Sequence, residues 1–258
     1  MSGLHASTFA MPTLHLLGTG AAFSDAHRTT TMLAFIDEDS TLVVDCGGDV
    51  VQRMLAAGID LTTVSALLLT HEHIDHVGGF PLFMERMWLG GRRDPIPVYG
   101  IEPALDQARR CFETFDTSRW EGLPEIHWHS FAEQEGALVL TDTRWEVTAS
   151  PGVHSVPVVG LRVASKRTGS VVAYSCDTEP TPAIACLAHK ADILVHEATG
   201  AFSGHSTAAQ AAEVAAQAEA RRLLLVHLPP GLSDDDLHAA RQRFAQTELG
   251  EELGAYDY

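Results

Sequence analysis

Short apolar runs alternate with longer amphipathic stretches along this chain. Residues 1–10 show no periodicity and read as a loose N-terminal tail. Alternation over residues 13–17 predicts a strand, ended by Gly18-Thr-Gly20. Residues 31–36 and 41–44 predict paired strands about a polar turn at 37–40. Asp49 is placed to cap a helix running to about residue 57, with Gly58 as its stop. The run 65–69 predicts a buried strand. Residues 77–89 predict a partial helix, disturbed at its start by Gly78, Gly79 and Pro81, and Pro103 opens a second amphipathic helix over 103–115.

The second half repeats the scheme. Strands are predicted at 126–129, 137–140 and 144–148, and a hairpin at 158–164 and 171–174. A helix at 181–189, a strand at 192–195, an Ala-rich helix at 206–220, a strand at 223–226 and a helix at 234–246 complete the chain. Several strands, helices, several strands and helices again suit an α/β fold of two packed sheets with helices outside, a four-layer αββα sandwich. No linker, charge block or short repeat divides residues 1–258, so one domain is expected.

Charge narrows the partners. Seventeen Lys and Arg face 34 Asp and Glu, a formal net charge of −17. No extended nucleic-acid surface is expected on such a chain, although a local positive site stays compatible with it, because a bound metal ion can be the largest charge present. The four cysteines, Cys46, Cys111, Cys176 and Cys186, form no C-x-x-C pair and suggest no disulfide framework. Neither a leader peptide nor a membrane-spanning run is visible, so a soluble cytoplasmic protein without a membrane partner is expected.

The densest chemistry lies in Thr70-His71-Glu72-His73-Ile74-Asp75-His76, directly after the buried strand. In an extended segment His71 and His73 point the same way and grip one metal, while Asp75 and His76 reach a second position beside it. Imidazole and carboxylate suit zinc, and also manganese or iron. His154, Asp177 and His227 each lie at or near the end of another predicted strand. Any one of them alone reads as structural; together they suggest further ligands converging from several strand ends.

These residues resemble the metallo-β-lactamase superfamily, specifically its ribonuclease Z-like branch, over residues 13–227. Three more segments carry the likeness: Leu42-Val-Val-Asp45-Cys-Gly-Gly48, His196-Glu197-Ala198-Thr199 and Gly204-His205-Ser206-Thr207. The resemblance implies a metallo-β-lactamase-type sandwich holding two divalent ions, most simply Zn2+, with Mn2+ or Fe2+ as options. It implies that His71, His73 and His154 bind one ion, that Asp75, His76 and His227 bind the other, and that Asp177 bridges them. Asp45 would hold ligand histidines from behind. His205 would bind a phosphate oxygen or serve the leaving group, oriented by Glu197, with helix capping and a surface carboxylate as their plain alternatives. Asp75 would also position the nucleophile's proton. His127 and His129 read as the exposed face of a strand, and His196 as structural.

The expected reaction is phosphodiester hydrolysis by a hydroxide shared between ions roughly 3.5–4 Å apart. Relatives that process tRNA carry a long arm, in bacterial forms between the equivalents of His154 and Asp177; here only residues 155–176 lie there, read as a hairpin. The expected substrate is therefore a small phosphodiester or an exposed RNA end. Alternatives are armless tRNA 3′-processing, for which Arg86, Arg92 and Arg93 form the nearest basic cluster, hydrolysis of an aryl sulfate, lactone or thioester, and, last, a non-catalytic metal-binding module. A homodimer is implied by resemblance, with the apolar residues of 80–89 as contact or core.

Overall fold

The computed structural model describes residues 11–258; the tail expected at 1–10 lies outside the described residues. Among them the strands run β1 (Thr13–Gly18), β2 (Met32–Asp37), β3 (Ser40–Val44), β4 (Val64–Leu69), β5 (Ile96–Gly100), β6 (Ile126–Ser130), β7 (Ala137–Thr141), β8 (Trp145–Pro151), β9 (Val159–Ser165), β10 (Val171–Tyr174), β11 (Ile193–Glu197), β12 (Leu223–Val226), β13 (Thr247–Leu249) and β14 (Ala255–Asp257). The helices are α1 (Val50–Ala56), α2 (Ile74–Val77), α3 (Phe80–Leu89), α4 (Glu102–Glu113), α5 (Pro182–Leu187), α6 (Ala208–Gln217) and α7 (Asp234–Arg243).

Two seven-stranded sheets result, ordered β14-β1-β2-β3-β4-β5-β6 and β13-β12-β11-β10-β9-β8-β7. Each is antiparallel on one side and parallel on the other. In the first, β14 to β3 pair antiparallel and β3 to β6 parallel. In the second, β7 to β10 pair antiparallel and β10 to β13 parallel. Parallel neighbours need crossovers, which explains why the helices cluster around those halves.

Strand alternation sorts side chains into two cores. Ile193 and Val195 face the space between the sheets with Trp145, Tyr174, Phe35 and Leu67. Leu194, the residue between them, faces the helices with Ala208, Ala211, Ala212 and Ala215 of α6. Small residues on that face let the helix pack close to the sheet. The observed architecture is the expected two-sheet α/β sandwich.

The structure departs from the expected elements in identifiable places. The partial helix expected over 77–89 is α3, which begins only at Phe80; residue 77 ends the separate short helix α2, and Gly78 and Gly79 divide the two. There a Cβ on Gly79 would lie 2.3 Å from the Gly48 carbonyl, so the break is a close backbone crossing. Strand β5 was not expected because Pro97 interrupts its pattern; β13 and β14 are three residues each, too short to show periodicity. The terminal helix stops at Arg243 rather than 246, and the Ala-rich helix at Gln217 rather than 220. Phe80, Phe83, Met84 and Met87 are fully buried, so the apolar face of α3 is core rather than contact surface. No helix among the described residues is long and apolar enough to cross a membrane.

Candidate metal centre and active site

The candidate residues gather where the parallel strands end. Asp45 follows β3, His71 follows β4, Asp177 follows β10, Glu197 closes β11 and His227 follows β12. His154 lies beyond β8, on the loop before β9. Crevices at the carboxyl ends of parallel strands are where α/β sheets commonly bind ligands.

Of the four groups of candidate donors that meet there among the described residues, two have four members each. His71, His73, His154 and Asp177 bring their ligand atoms together in one; Asp75, His76, Asp177 and His227 do so in the other. Asp177 belongs to both. In the first group His73 Nδ1 lies 3.1 Å from His71 Nε2 and 3.1 Å from His154 Nε2. One N–H cannot serve two rings at once, so three imidazole nitrogens face a common point. In the second, His227 Nε2 lies 3.3 Å from Asp75 Oδ2 and 3.3 Å from Asp177 Oδ2, and His76 Nε2 lies 3.6 Å from Asp177 Oδ1.

The far side of each ring explains its aim. His76 Nδ1–H donates to Asp45 Oδ2 at 2.8 Å, and His154 Nδ1–H to the Gly204 carbonyl at 2.8 Å. His227 Nδ1 meets Thr199 Oγ1 at 2.7 Å, and His71 Nδ1 meets Thr70 Oγ1 at 3.2 Å. Each outward nitrogen is thus engaged and each Nε2 lone pair is turned inward. His73 is reversed, with Nδ1 inward and Nε2 3.5 Å from Ser155 Oγ.

The two threonines link these rings to buried carboxylates. Thr70 Oγ1 donates to Asp45 Oδ2 at 2.8 Å, so its lone pairs accept from His71 and from the Cys176 thiol at 3.0 Å. Thr199 Oγ1 donates to Glu197 Oε2 at 2.6 Å and accepts from His227. Glu197 also accepts from His205 Nδ1 at 3.2 Å and from the amides of Thr178, Thr199 and Ser206. It is fully buried, so the surface-carboxylate alternative does not hold. Nor does His205 cap α6; Thr207 does, through a capping box with Gln210.

These roles of Thr70 and Thr199 were not read from sequence. Their positions, one before His71 and two after Glu197, are the available signal.

Electrostatics agree with a cation-binding centre. Burial lowers the His71 pKa well below its ordinary value and His76 adds to that, favouring the neutral ring that ligates. Burial disfavours a charged His76, but Asp177 and Asp45 outweigh it and draw the pKa well up. Burial pushes Asp177 up, yet His227 and His76 hold its carboxyl well below the usual range. Burial likewise opposes protonation of His205, and Glu197 overrides it, raising the pKa. The Cys176 thiol is pushed up to about 12 by burial, so no thiolate competes as a ligand at neutral pH.

The residues fit divalent ions. His76 Nε2 and Asp177 Oδ1 are buried without a hydrogen-bond partner. Orphaned buried polar atoms are costly, and two of them aimed at one point suit a cation that takes the place of the His76 proton. The backbone serves the same end. Asp45, Cys176 and His227 have left-handed φ of 60°, 52° and 52°, although none is glycine. Such a residue costs about 1–2 kcal/mol and concentrates at functional turns. Gly47 lies against the 71–76 segment so closely that a Cβ would sit 1.7 Å from the Asp75 carbonyl oxygen.

The other sequence candidates fall elsewhere. His127 and His129 are exposed on β6. His196 is buried and donates Nδ1–H to the Glu197 carbonyl at 2.8 Å. Arg86 pairs with Asp49, while Arg92 and Arg93 donate to backbone carbonyls, so that cluster braces loops.

Sandwich and site together define a metal-dependent hydrolase of the metallo-β-lactamase fold. The Beta-lactamase superfamily domain matches residues 40–228, and the chain belongs to that superfamily, in its ribonuclease Z branch. The ribonuclease Z of Methanothermobacter thermautotrophicus is 30% identical across 92% of this chain and 94% of its own length. The metallo-β-lactamase fold protein YhfI from Bacillus subtilis superposes with a TM-score of 0.79 at 22% identity, covering 96% of this chain and 100% of its own. The short form of human tRNase Z gives a TM-score of 0.78 at 23% identity, covering 95% and 98%.

Proposed function

We propose that the chain, acting as a single domain, is a dinuclear phosphodiesterase cleaving a small phosphodiester or an exposed RNA end. The observation that carries this is the pair of donor groups sharing Asp177. His71, His73 and His154 would hold one ion, and Asp75, His76 and His227 the other, with Asp177 between them. The donors are nitrogen and oxygen only, which favours Zn2+ and also suits Mn2+ or Fe2+. When bound, such a pair supplies Lewis-acid polarisation of a phosphoryl oxygen and a lowered pKa for water.

The protein's own groups do the rest. Asp75 Oδ2, 3.3 Å from His227 Nε2, is placed to take or position the proton of an attacking water. His205 packs against both His154 and His227, with ring centroids 4.9 Å and 5.8 Å away. Its Nδ1–H is fixed on Glu197, so Nε2 is the nitrogen left to meet a phosphoryl or leaving oxygen. The raised pKa keeps a proton available there. Asp45 would keep His76, and through Thr70 His71, in register.

A small substrate is favoured over folded tRNA. The alignment with the Methanothermobacter ribonuclease Z spans 293 positions, more than this chain has residues, so that relative carries segments without a counterpart here. Between His154 and Asp177 the chain builds only the β9–β10 hairpin.

The test is hydrolysis of bis-p-nitrophenyl phosphate, with and without chelator, by wild type and Asp75→Ala. Chelator-sensitive turnover lost in Asp75→Ala is expected. Absence of turnover by protein carrying two ions per chain would sink the phosphodiesterase reading and turn attention to sulfate, lactone or thioester substrates. Faster cleavage of a tRNA precursor than of any small diester would replace it with 3′-end processing.

A further inference from the structure

Nine large apolar side chains are strongly exposed among the described residues, and four of them lie on loops, or at the start of the short helix α2, that carry or strap the candidate site. Ile74, 80% exposed, sits between His73 and Asp75. Val153 precedes His154, and Phe202, 66% exposed, lies on the turn leading to His205. Phe23, 79% exposed, lies on the 19–31 loop. That loop is tied to the residue after His227: the Ala21 amide donates to the Leu228 carbonyl at 3.1 Å, and so does Ser24 Oγ at 3.1 Å.

Phe202 is held by the backbone of its own turn. Its amide donates to the Gly200 carbonyl at 2.9 Å, and its carbonyl accepts from the His205 amide at 3.1 Å. The ring lies over Gly200, where a Cβ would come within 3.3 Å of it. Gly200 N–H donates to the Ser206 carbonyl at 2.9 Å, and Gly204 N–H to Glu179 Oε1 at 2.8 Å, closing the turn. An aromatic ring is thereby exposed on the same rigid turn as the His205 imidazole.

Charge is missing where a polyanion would need it. The segments 70–79, 151–158, 175–181, 198–207 and 227–233 contain no Lys or Arg, and on the 19–31 loop Arg28 is paired with Asp25. A nucleic-acid strand is held largely by cations that neutralise successive phosphates. These loops offer instead flat and branched apolar surface, which grips aromatic rings and marks a contact site when left exposed.

We infer that Phe202, with Phe23, Ile74 and Val153, forms an apolar rim that holds a flat aromatic ester group of a single phosphodiester, a nucleobase or an aryl ring. This rests on the phosphodiesterase reading above and makes the substrate a small aromatic diester rather than a polyanionic chain.

The test compares three diesters of p-nitrophenol whose second ester group is ethyl, phenyl or thymidine-5′. The leaving group is constant, and comparison with Phe202→Ala cancels the electronic effect of the second ester, so the change in the kcat/KM ratio reports recognition of the second group. Wild type is expected to favour phenyl and thymidine over ethyl by about tenfold or more, the scale of one base–aromatic stack. Phe202→Ala, at an exposed position, should bring that ratio close to one, mainly through KM. A thymidine preference above phenyl assigns the rim to nucleobases; equality assigns it to aryl groups generally. Equal kcat/KM on all three in wild type, or a ratio that survives Phe202→Ala, overturns the inference. If no diester turns over, calorimetric titration of the metal-loaded protein with phenylphosphonate and ethylphosphonate separates the two ideas. Tighter phenyl binding lost in Phe202→Ala keeps the rim and sinks the reaction; equal binding sinks the rim. A wild-type dimer that Phe202→Ala dissociates in sedimentation would also overturn it, assigning the surface to a second copy.

Discussion

Each sheet buries one carboxylate behind the site. In the first sheet Asp45 accepts from the Thr70 amide and hydroxyl and from His76, and reaches His71 through Thr70. In the second Glu197 accepts from three amides, the Thr199 hydroxyl and His205, and reaches His227 through Thr199. The wiring is the same: one imidazole held directly and another through a threonine. What differs is the cargo. Both rings on Asp45 are candidate ligands, one in each donor group. Glu197 holds one candidate ligand and His205, a ring placed to meet substrate. Asp45 therefore frames candidate ligands alone, while Glu197 couples one candidate ligand to His205, the ring proposed to meet the leaving oxygen.

Replacing the two carboxylates should break the comparison most forcefully. Asp45→Ala leaves His76 and Thr70 donors buried and unpaired, a loss on the order of 3–5 kcal/mol. Metal content measured by atomic emission should fall from two per chain to below one, with a lower unfolding midpoint. Glu197→Gln should keep both ions and lower turnover about 10–100-fold, the usual range for an outer partner. Equal metal loss in both variants would erase the distinction.

A smaller contrast is expected from the threonines. Thr70→Val and Thr199→Val should each weaken metal retention about tenfold in competition with a chelator. Only Thr199→Val should also slow the metal-loaded protein, because it removes one of the two hydrogen bonds on Oε2 of the carboxylate that holds His205, leaving the residue-199 amide alone there. Identical kcat values for the two loaded variants would argue that Glu197 is only another frame. The least effect belongs to Cys176→Ser. A hydroxyl can still donate to Thr70, so the unfolding free energy from urea titration should change by less than about 1 kcal/mol, with metal content unchanged.

Legibility in the sequence followed the range of the interactions. The layered architecture came from runs such as 65–69 and 223–226, whose apolar character is local. The donors His71, His73, Asp75 and His76 are local too, and His154, Asp177 and His227 were visible as polar residues closing apolar strands. What stayed hidden was long-range. Strand β14 pairs with β1 from the opposite end of the chain. The Thr199–His227 contact joins two loops that no spacing connects. The exposure of Phe202 depends on a turn closed by Gly200, Gly204 and Glu179. Pro97 concealed a real strand because a local breaker was overruled by neighbours on both sides.

The left-handed turns at Asp45, Cys176 and His227 carry a lesson for anyone engineering this protein to survive heat. Those positions would look inviting, since glycine relaxes a left-handed backbone at no steric cost. Yet glycine at 45 or 227 deletes the very group the turn exists to present, and at 176 it removes the thiol that meets Thr70. Durability must be added in the helices and sheet edges, far from the strand ends, because the strand ends trade it for reach.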